Sequence, residues 1–476
     1  MKQSFKLEER EILIENRSGE TASGPEPSPP MLKLVPSVSE AFRPCRGGAQ
    51  KVLCLEFNEL NFEYVEHYTR QGKLPAFARL INLHGYTRTH SEAVYEEIEP
   101  WIQWFTVHTG RSYAEHKVFR LGDGPQSGLA QIWETLSKKG LKVGAFSPMN
   151  ARNAVADAAF FVPDPWTKTD VSAPPLMRTA YEAICQAVGD NAKGRITVRS
   201  ALRLLAGLVA YSQFRHGFAY IAEALAGLRS HWPRAIFLDR FLAACFLTLW
   251  RRTRPDFATV FFNGAAHIQH HCLFNSAAYS GPHRNPTWYL SAGVDPVLKV
   301  YELYDAVLAD CLALEPRPRI MIATGLHQDP VDHPVFYWRL RDHTQFLHAI
   351  QCKFVSVEPR MSRDFLVVCA DDAQAVETAA RLASGRASDH LSLFEVDNRG
   401  TTLFVTLSYP CEIKPGLAVQ FDGAAVRDFS REVVFVALKN GHHSGIGYFL
   451  DTDVRAIPGT EPIPLTDLWQ RMVSAF

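Results

Sequence analysis

KVLCLEFNELN (Lys51–Asn61) carries the reading of the fold. A strand with one face in water alternates apolar and polar residues. The run VLCLEF does not alternate, so both of its faces are expected to be buried, as in a parallel sheet covered by helices. The helical segment FEYVEHYTRQGKLPAFARLINLHG follows, broken at Pro75, and then WIQWFTVHTG, a helix that ends at Gly110. GLAQIWETLSKKG has amphipathic periodicity with a stop at Gly140, and LKVGAFSP is the next strand. This strand–helix–strand order predicts an α/β three-layer sandwich around a mostly parallel sheet.

Working outward, residues 1–48 are polar and rich in Pro, Ser and Glu, as in ETASGPEPSPP, and read as a flexible leader. Residues 175–252 are helical in pattern throughout and read as a cap inserted into the α/β chain. The α/β order resumes with FATVFFNG, YELYDAVLADCLAL and RIMIATG. Within residues 351–410, FLVVCA, DDAQAVETAARLASG, LFEVDN and TTLFVTL form a β-α-β-β unit, the expected small α/β subdomain. The core is therefore assigned to residues 49–174, 253–350 and 411–476.

Lysine plus arginine and aspartate plus glutamate both number 50, so the formal net charge is zero and no global basic field favours nucleic acid. WRRTR (Trp250–Arg254) reads as a solvated helix end. The nine cysteines lack CxxC pairs and sit in apolar contexts such as VLCLEF and VVCAD. Reduced, packed thiols of this kind point to a cytoplasmic protein. The first residues contain no apolar signal core, and the most apolar stretch, LRLLAGLVAYSQFRHGFAYIAEALAGL, is interrupted by Arg215 and His216. It reads as amphipathic helices, not as a transmembrane segment. The oligomeric state is left open.

The chemistry concentrates in FFNGAAHIQHHCLF (Phe261–Phe274), which places His267, His270 and His271 just past a strand. His267 and His271 have the i, i+4 spacing of metal ligands, although surface histidines after a strand are common. Metal sites also need anionic ligands, and Ala265 and Ala266 precede the first histidine. Glu99, in the acidic run YEEIEP, is a candidate ligand, general base or nucleophile, or a solvated glutamate. HQDPVDH (His327–His333) offers His327, Asp329, Asp332 and His333, or a polar turn.

Taken together, KVLCLEFNELN, GKLPAFARLINLHGYTRTH and EPWIQWFTVHTGRSYAEHKVF resemble the start of the alkaline phosphatase superfamily, in its type I phosphodiesterase/nucleotide pyrophosphatase branch. Gly72-Lys73-Leu74-Pro75, Pro100, Trp104, Thr109-Gly110 and His116 follow that branch's order. PDFATVFFNGAAHIQHH resembles its Asp-x-x-Gln-His metal motif through Gln269 and His270. RIMIATGLHQ stands in the place of its Ser-Asp-His-Gly strand end. NGHHSGIGYF resembles its Gly-x-His motif, with His442 taken as the match.

The resemblance implies a hydrolase of phosphoester-type small molecules with two zinc ions and a threonine nucleophile. The departures change that expectation. The first metal-binding aspartate aligns with Asn58, flanked by Glu56 and Glu59. The nucleophile aligns with Glu99, the motif aspartate with Ala266, and the Asp-His pair with Gly325-Leu326 or Leu326-His327. Asn58 keeps the shape of aspartate without its charge. His270 and His442, with Glu99 or His327 completing the set, are expected to hold at most one zinc or other divalent metal. Asn58 and Glu99 are the expected catalytic pair. The expected function is a divergent hydrolase or transferase acting on a phosphoester-type substrate. The alternative is an inactive relative that serves as a binding or scaffold protein.

Overall fold

The computed structural model describes residues 50–189, 197–211, 217–227, 230–360, 363–457 and 459–476, so the leader expected over residues 1–48 lies outside the described residues. The first strands, all in the central sheet, are β1 (Val52–Phe57), β2 (Thr87–His90), β3 (Val143–Phe146), β4 (Phe160–Val162), β5 (Phe257–Phe262) and β6 (Arg319–Ala323). The long β7 (His327–Leu340) follows β6. Next come β8 (Ser356–Pro359), β9 (Asp364–Val368), β10 (Arg386–Ala387), β11 (Phe394–Asn398), β12 (Thr402–Leu407), β13 (Val419–Phe421) and β14 (Ala424–Val426). The chain ends with β15 (Val433–Ser444), β16 (Ile446–Asp451) and β17 (Ile463–Pro464).

Eight strands make the main sheet, in the order β17-β2-β16-β6-β1-β5-β3-β4. The run from β6 to β4 is parallel, and β16 joins its edge antiparallel. Leu55 of the opening stretch pairs with Val260 on one side and Ile322 on the other, so VLCLEF is the middle of the sheet.

Its side chains divide by the period of two that a strand imposes. Leu53, Leu55 and Phe57 enter one hydrophobic layer with Val260, Phe262 and the Pro296–Leu312 helix. Val52 and Cys54 enter the opposite layer with Trp104, Trp133 and Phe261. Burying a side chain such as Leu55 stabilises the fold by about 1.5–3 kcal/mol. Glu56 points into the second layer as well. It is fully buried, with His108 Nε2 at 3.0 Å.

A second hydrophobic cluster runs from Phe336 to Leu438. It contains the expected β-α-β-β order as β9, the Asp372–Ala383 helix, β11 and β12, with β8 added at the edge. The cluster is wider than residues 351–410 because β7 and β15 pair along most of their length and carry its apolar residues. The segment read as an insertion contains the Pro175–Gly189, Val198–Tyr211, Gly217–Gly227 and Trp232–Thr253 helices. All eight described cysteines are free.

Candidate metal centre

The carboxyl ends of β1, β5 and β6 meet at one edge of the sheet, where open α/β sheets place their ligands. Beyond β1 the chain turns sharply at Glu59, a non-glycine residue in the left-handed region at φ 60°. That conformation costs about 1 kcal/mol and is fixed from two sides. Glu59 N donates to Thr324 O at 3.1 Å, and Gln269 Nε2 donates to Glu59 O at 2.7 Å. Gln269 is itself oriented by Tyr301, whose hydroxyl donates to Gln269 Oε1 at 2.6 Å.

Beyond β5 the Gly264–Cys272 helix begins at once. Gly264 N donates to the buried carboxylate of Asp239 at 2.7 Å, and a Cβ on residue 264 would lie 2.5 Å from that oxygen, so only glycine fits. The helix then delivers His270 to the sheet edge.

The third contributor is the β7–β15 ribbon, whose register pairs His443 with Gln328 and His442 with Asp329. The adjacent Gly441 passes so near Gln328 that a Cβ would lie 2.3 Å from Gln328 Oε1.

Three groups converge here. Glu59 Oε2 lies 3.4 Å from His270 Nε2 and 3.5 Å from His443 Nε2, and the two imidazole nitrogens are 3.2 Å apart. Among the described residues, Glu59, His270 and His443 form the one group of three or more potential ligands with all donor atoms within 4.8 Å. Tetrahedral bonds of about 2.0–2.2 Å to zinc set ligand atoms about 3.3–3.6 Å apart. Two edges of the triangle, 3.4 and 3.5 Å, have that length and the third, 3.2 Å, is slightly shorter, so one ion fits above it and keeps a fourth position open.

The surroundings favour ligation. His270 Nδ1 faces Gly441 O at 3.1 Å, which assigns its proton to Nδ1 and leaves the Nε2 lone pair facing the centre. Burial holds His270 below the usual histidine range, so the ring stays neutral, as a ligand must. Glu59 Oε1 accepts from Asn58 Nδ2 at 3.0 Å, and Oε2 accepts from Gln328. Among the described residues no lysine or arginine lies within ion-pair distance of this buried carboxylate. A divalent cation would supply the missing charge.

Glu99 stands behind the centre, its Oε2 3.6 Å from His443 Nδ1. A carboxylate behind a ligating imidazole orients the ring and raises its basicity. Burial and then the charge of Glu59 push the Glu99 carboxyl up to about 7. Lys439, held below its ordinary range first by burial and then by Arg363, feels the charge of Glu99 in turn.

Several expected site residues occupy other positions. Asn58 is buried in a structural network. The Trp104 indole donates to its Oδ1 at 2.7 Å, and its Nδ2 donates to Asn263 at 2.8 Å as well as to Glu59. Every amide position with a fixed partner is used, and the carboxylate facing the centre is that of the next residue. His442 is not in the triangle. Adjacent strand residues point to opposite faces, and His443 takes the face shared with Gln328 and Glu59. His442 Nδ1 instead lies 3.2 Å from the carbonyl of His443, and its ring lies 6.4 Å from that of Tyr95.

His327 is engaged through both ring nitrogens, by Ile446 O at 2.5 Å and Asp329 at 3.1 Å. His267 and His271 are neighbours, ring centroids 5.0 Å apart, and His271 Nδ1 meets Leu438 O at 2.7 Å. His116 is buried, with its Nδ1 accepting from Val118 N at 3.0 Å. Ala266 is buried, and its carbonyl accepts from Gln328 at 2.9 Å. One signal for the histidine that reaches the triangle is present in the sequence. Gly-x-His counted from Gly441 lands on His443.

No family model and no curated protein sequence matches the chain. Solved structures do. Phosphonoacetate hydrolase from Sinorhizobium meliloti 1021, in complex with phosphonoformate, is 13% identical, with 90% of this chain and 96% of that one covered at a TM-score of 0.40. Murine ectonucleotide pyrophosphatase/phosphodiesterase 5 is 9% identical, with 89% and 94% covered at a TM-score of 0.39. An inactive form of the same murine protein in complex with AMP is 11% identical, with 90% and 94% covered at 0.39. TM-scores near 0.40 do not define a common superposition, so the chemistry of the centre stands on its own geometry.

Proposed function

We propose that Glu59, His270 and His443 hold one divalent cation and that the centre hydrolyses, or transfers a group from, a phosphoester-type small molecule. The observation that carries this reading is the triangle of donor atoms with edges of 3.2, 3.4 and 3.5 Å. Glu59, His270 and His443 would hold the cation, and its open position would supply Lewis acidity toward a phosphoryl oxygen or a water. The protein contributes the rest. His270 and His443 are 28% and 12% exposed at the side chain, so the centre faces solvent on their side and can be reached. Gln328 and Asn58 hold the Glu59 carboxylate, and Glu99 stands at the outer nitrogen of His443. Lys439, on the Glu99 side, provides positive charge for an anionic substrate.

The alternative is a protein that binds but does not turn over. It is favoured by Ala266 and Asn58, which leave the second half of a paired-metal centre without carboxylates. Elemental analysis of the purified protein, paired with turnover of p-nitrophenyl phosphate and bis-p-nitrophenyl phosphate, separates the two. One metal per chain with chelator-sensitive turnover supports the enzyme. Metal without turnover supports the binding protein. Two zinc ions per chain, or no metal with chelator-insensitive turnover, overturns the single-metal reading.

A further inference from the structure

The β7–β15 ribbon that delivers His443 also carries basic charge on one face. Leu438 and Phe336 lie opposite each other across the two strands, and both enter the second hydrophobic cluster. Their neighbours along each strand therefore face the other way. Ala437 pairs with Tyr337 and Lys439 with Val335. Lys439 and Tyr337 are thus diagonal neighbours on the outer face, within reach of long side chains. The guanidinium of Arg363 lies over the Tyr337 ring, 4.2 Å from its centroid. All three side chains are half-buried.

Among the described residues no carboxylate lies within ion-pair distance of Lys439 or Arg363. The adjacent Asp364 instead accepts from the Thr406 hydroxyl at 2.8 Å. Burial and then Arg363 hold Lys439 below its ordinary range, as two neighbouring cations with no anion between them require. Lys439 stands two residues before Gly441, whose carbonyl faces His270, and four before His443. Burial and then Glu59 push the Glu99 carboxyl up, and the charge of Lys439 opposes them, so the lysine is on the Glu99 side of the centre. Cations withdrawn from water without a partner are unfavourable, and an anion relieves them. A guanidinium stacked on an aromatic ring keeps its N–H edge free for a two-pronged contact, to which a lysine adds a point charge.

We infer that Lys439 and Arg363, with Tyr337 as the platform for the guanidinium, form an anion subsite beside the metal centre. The cation takes the phosphoester, and the subsite takes another anionic group of the same molecule, a carboxylate or a second phosphoryl group. This inference rests on the single-cation reading above and deepens it by naming the substrate class, a phosphoester with a further anionic group.

Titration calorimetry of the zinc-loaded full chain with three sets of phosphonates, which resist ester hydrolysis, tests it. The sets are alkylphosphonates, ω-carboxyalkylphosphonates and alkane-α,ω-bisphosphonates of graded chain length. At the best-fitting length, one doubly anionic set should bind at least about tenfold more tightly than the alkylphosphonate of equal length. The set that does so identifies the second group as carboxylate or phosphoryl. Arg363→Gln and, separately, Lys439→Met should each cut that preference to about threefold or less, and Lys439→Arg should keep it. Circular dichroism and melting profiles of the variants check that they fold as the parent chain does. No binding, equal binding of the three sets at every length, or a preference untouched by both charge removals would overturn the inference. Zinc content measured on the same samples separates the two readings. A missing preference in a chain holding one zinc ion removes the subsite alone, and a preference in a chain that holds no metal removes the single-cation reading alone.

Discussion

Replacing one histidine at a time on β15 tests the centre most directly, because His442 and His443 are adjacent and the strand turns them to opposite faces. His443→Ala removes the nitrogen that lies 3.2 Å from His270 Nε2 and 3.5 Å from Glu59 Oε2. Two ligands remain, one imidazole and one carboxylate. Loss of a group that merely supports a ligand lowers metal affinity about 10–100-fold. Loss of the ligand itself should therefore cost about 100-fold or more, equivalent to at least about 2.7 kcal/mol of binding free energy. His442→Ala removes a ring whose nitrogen contacts the backbone carbonyl of His443 at 3.2 Å and none of the three side-chain atoms of the triangle. Its effect on metal affinity should stay within about twofold, an energy below 0.5 kcal/mol in order of magnitude. Titration calorimetry with zinc on the metal-stripped protein measures both. The reasoning fails if His442→Ala abolishes binding while His443→Ala leaves it intact. It fails equally if neither substitution changes the affinity.

Two further outcomes concern stability. Burial holds His116 and His343 down to about 4, whereas an unfolded histidine titrates near 6.5. Between those values the unfolded chain binds the extra proton, so stability falls as pH drops from about 6.5 towards 4, by up to about 3 kcal/mol per histidine. Urea midpoints should show a shallower loss over that window for His343→Phe than for the parent chain, and an unchanged slope would contradict the assignment. Glu56→Ala should destabilise the fold by about 3 kcal/mol or more, because it leaves His108 buried opposite a vanished partner. Replacing both residues with leucine should recover much of that loss in the same urea assay.

The layered fold was legible in the chain because its evidence is local. VLCLEF and FATVFF are apolar without alternation, and only a strand covered on both faces accommodates such a run. The β-α order then restricts how those strands can be joined. His270 was legible for a similar reason, since it sits a short, rigid distance from the end of β5.

The remainder of the centre was not legible, because it depends on directions that composition does not carry. Whether Asn58 or Glu59 faces the pocket is settled by a left-handed turn at Glu59, held by Thr324 and Gln269 from distant segments. Whether His442 or His443 faces it is settled by the pairing of β15 with β7, where a shift of one residue exchanges the faces. Glu99 reaches His443 only because its helix packs against β1. The sequence by itself determined the layers, the parallel sheet and the edge at which the chemistry gathers. The tertiary structure alone decided which carboxylate and which imidazoles meet, because residues far apart in the chain must fix a turn and a register before those side chains can point to one place.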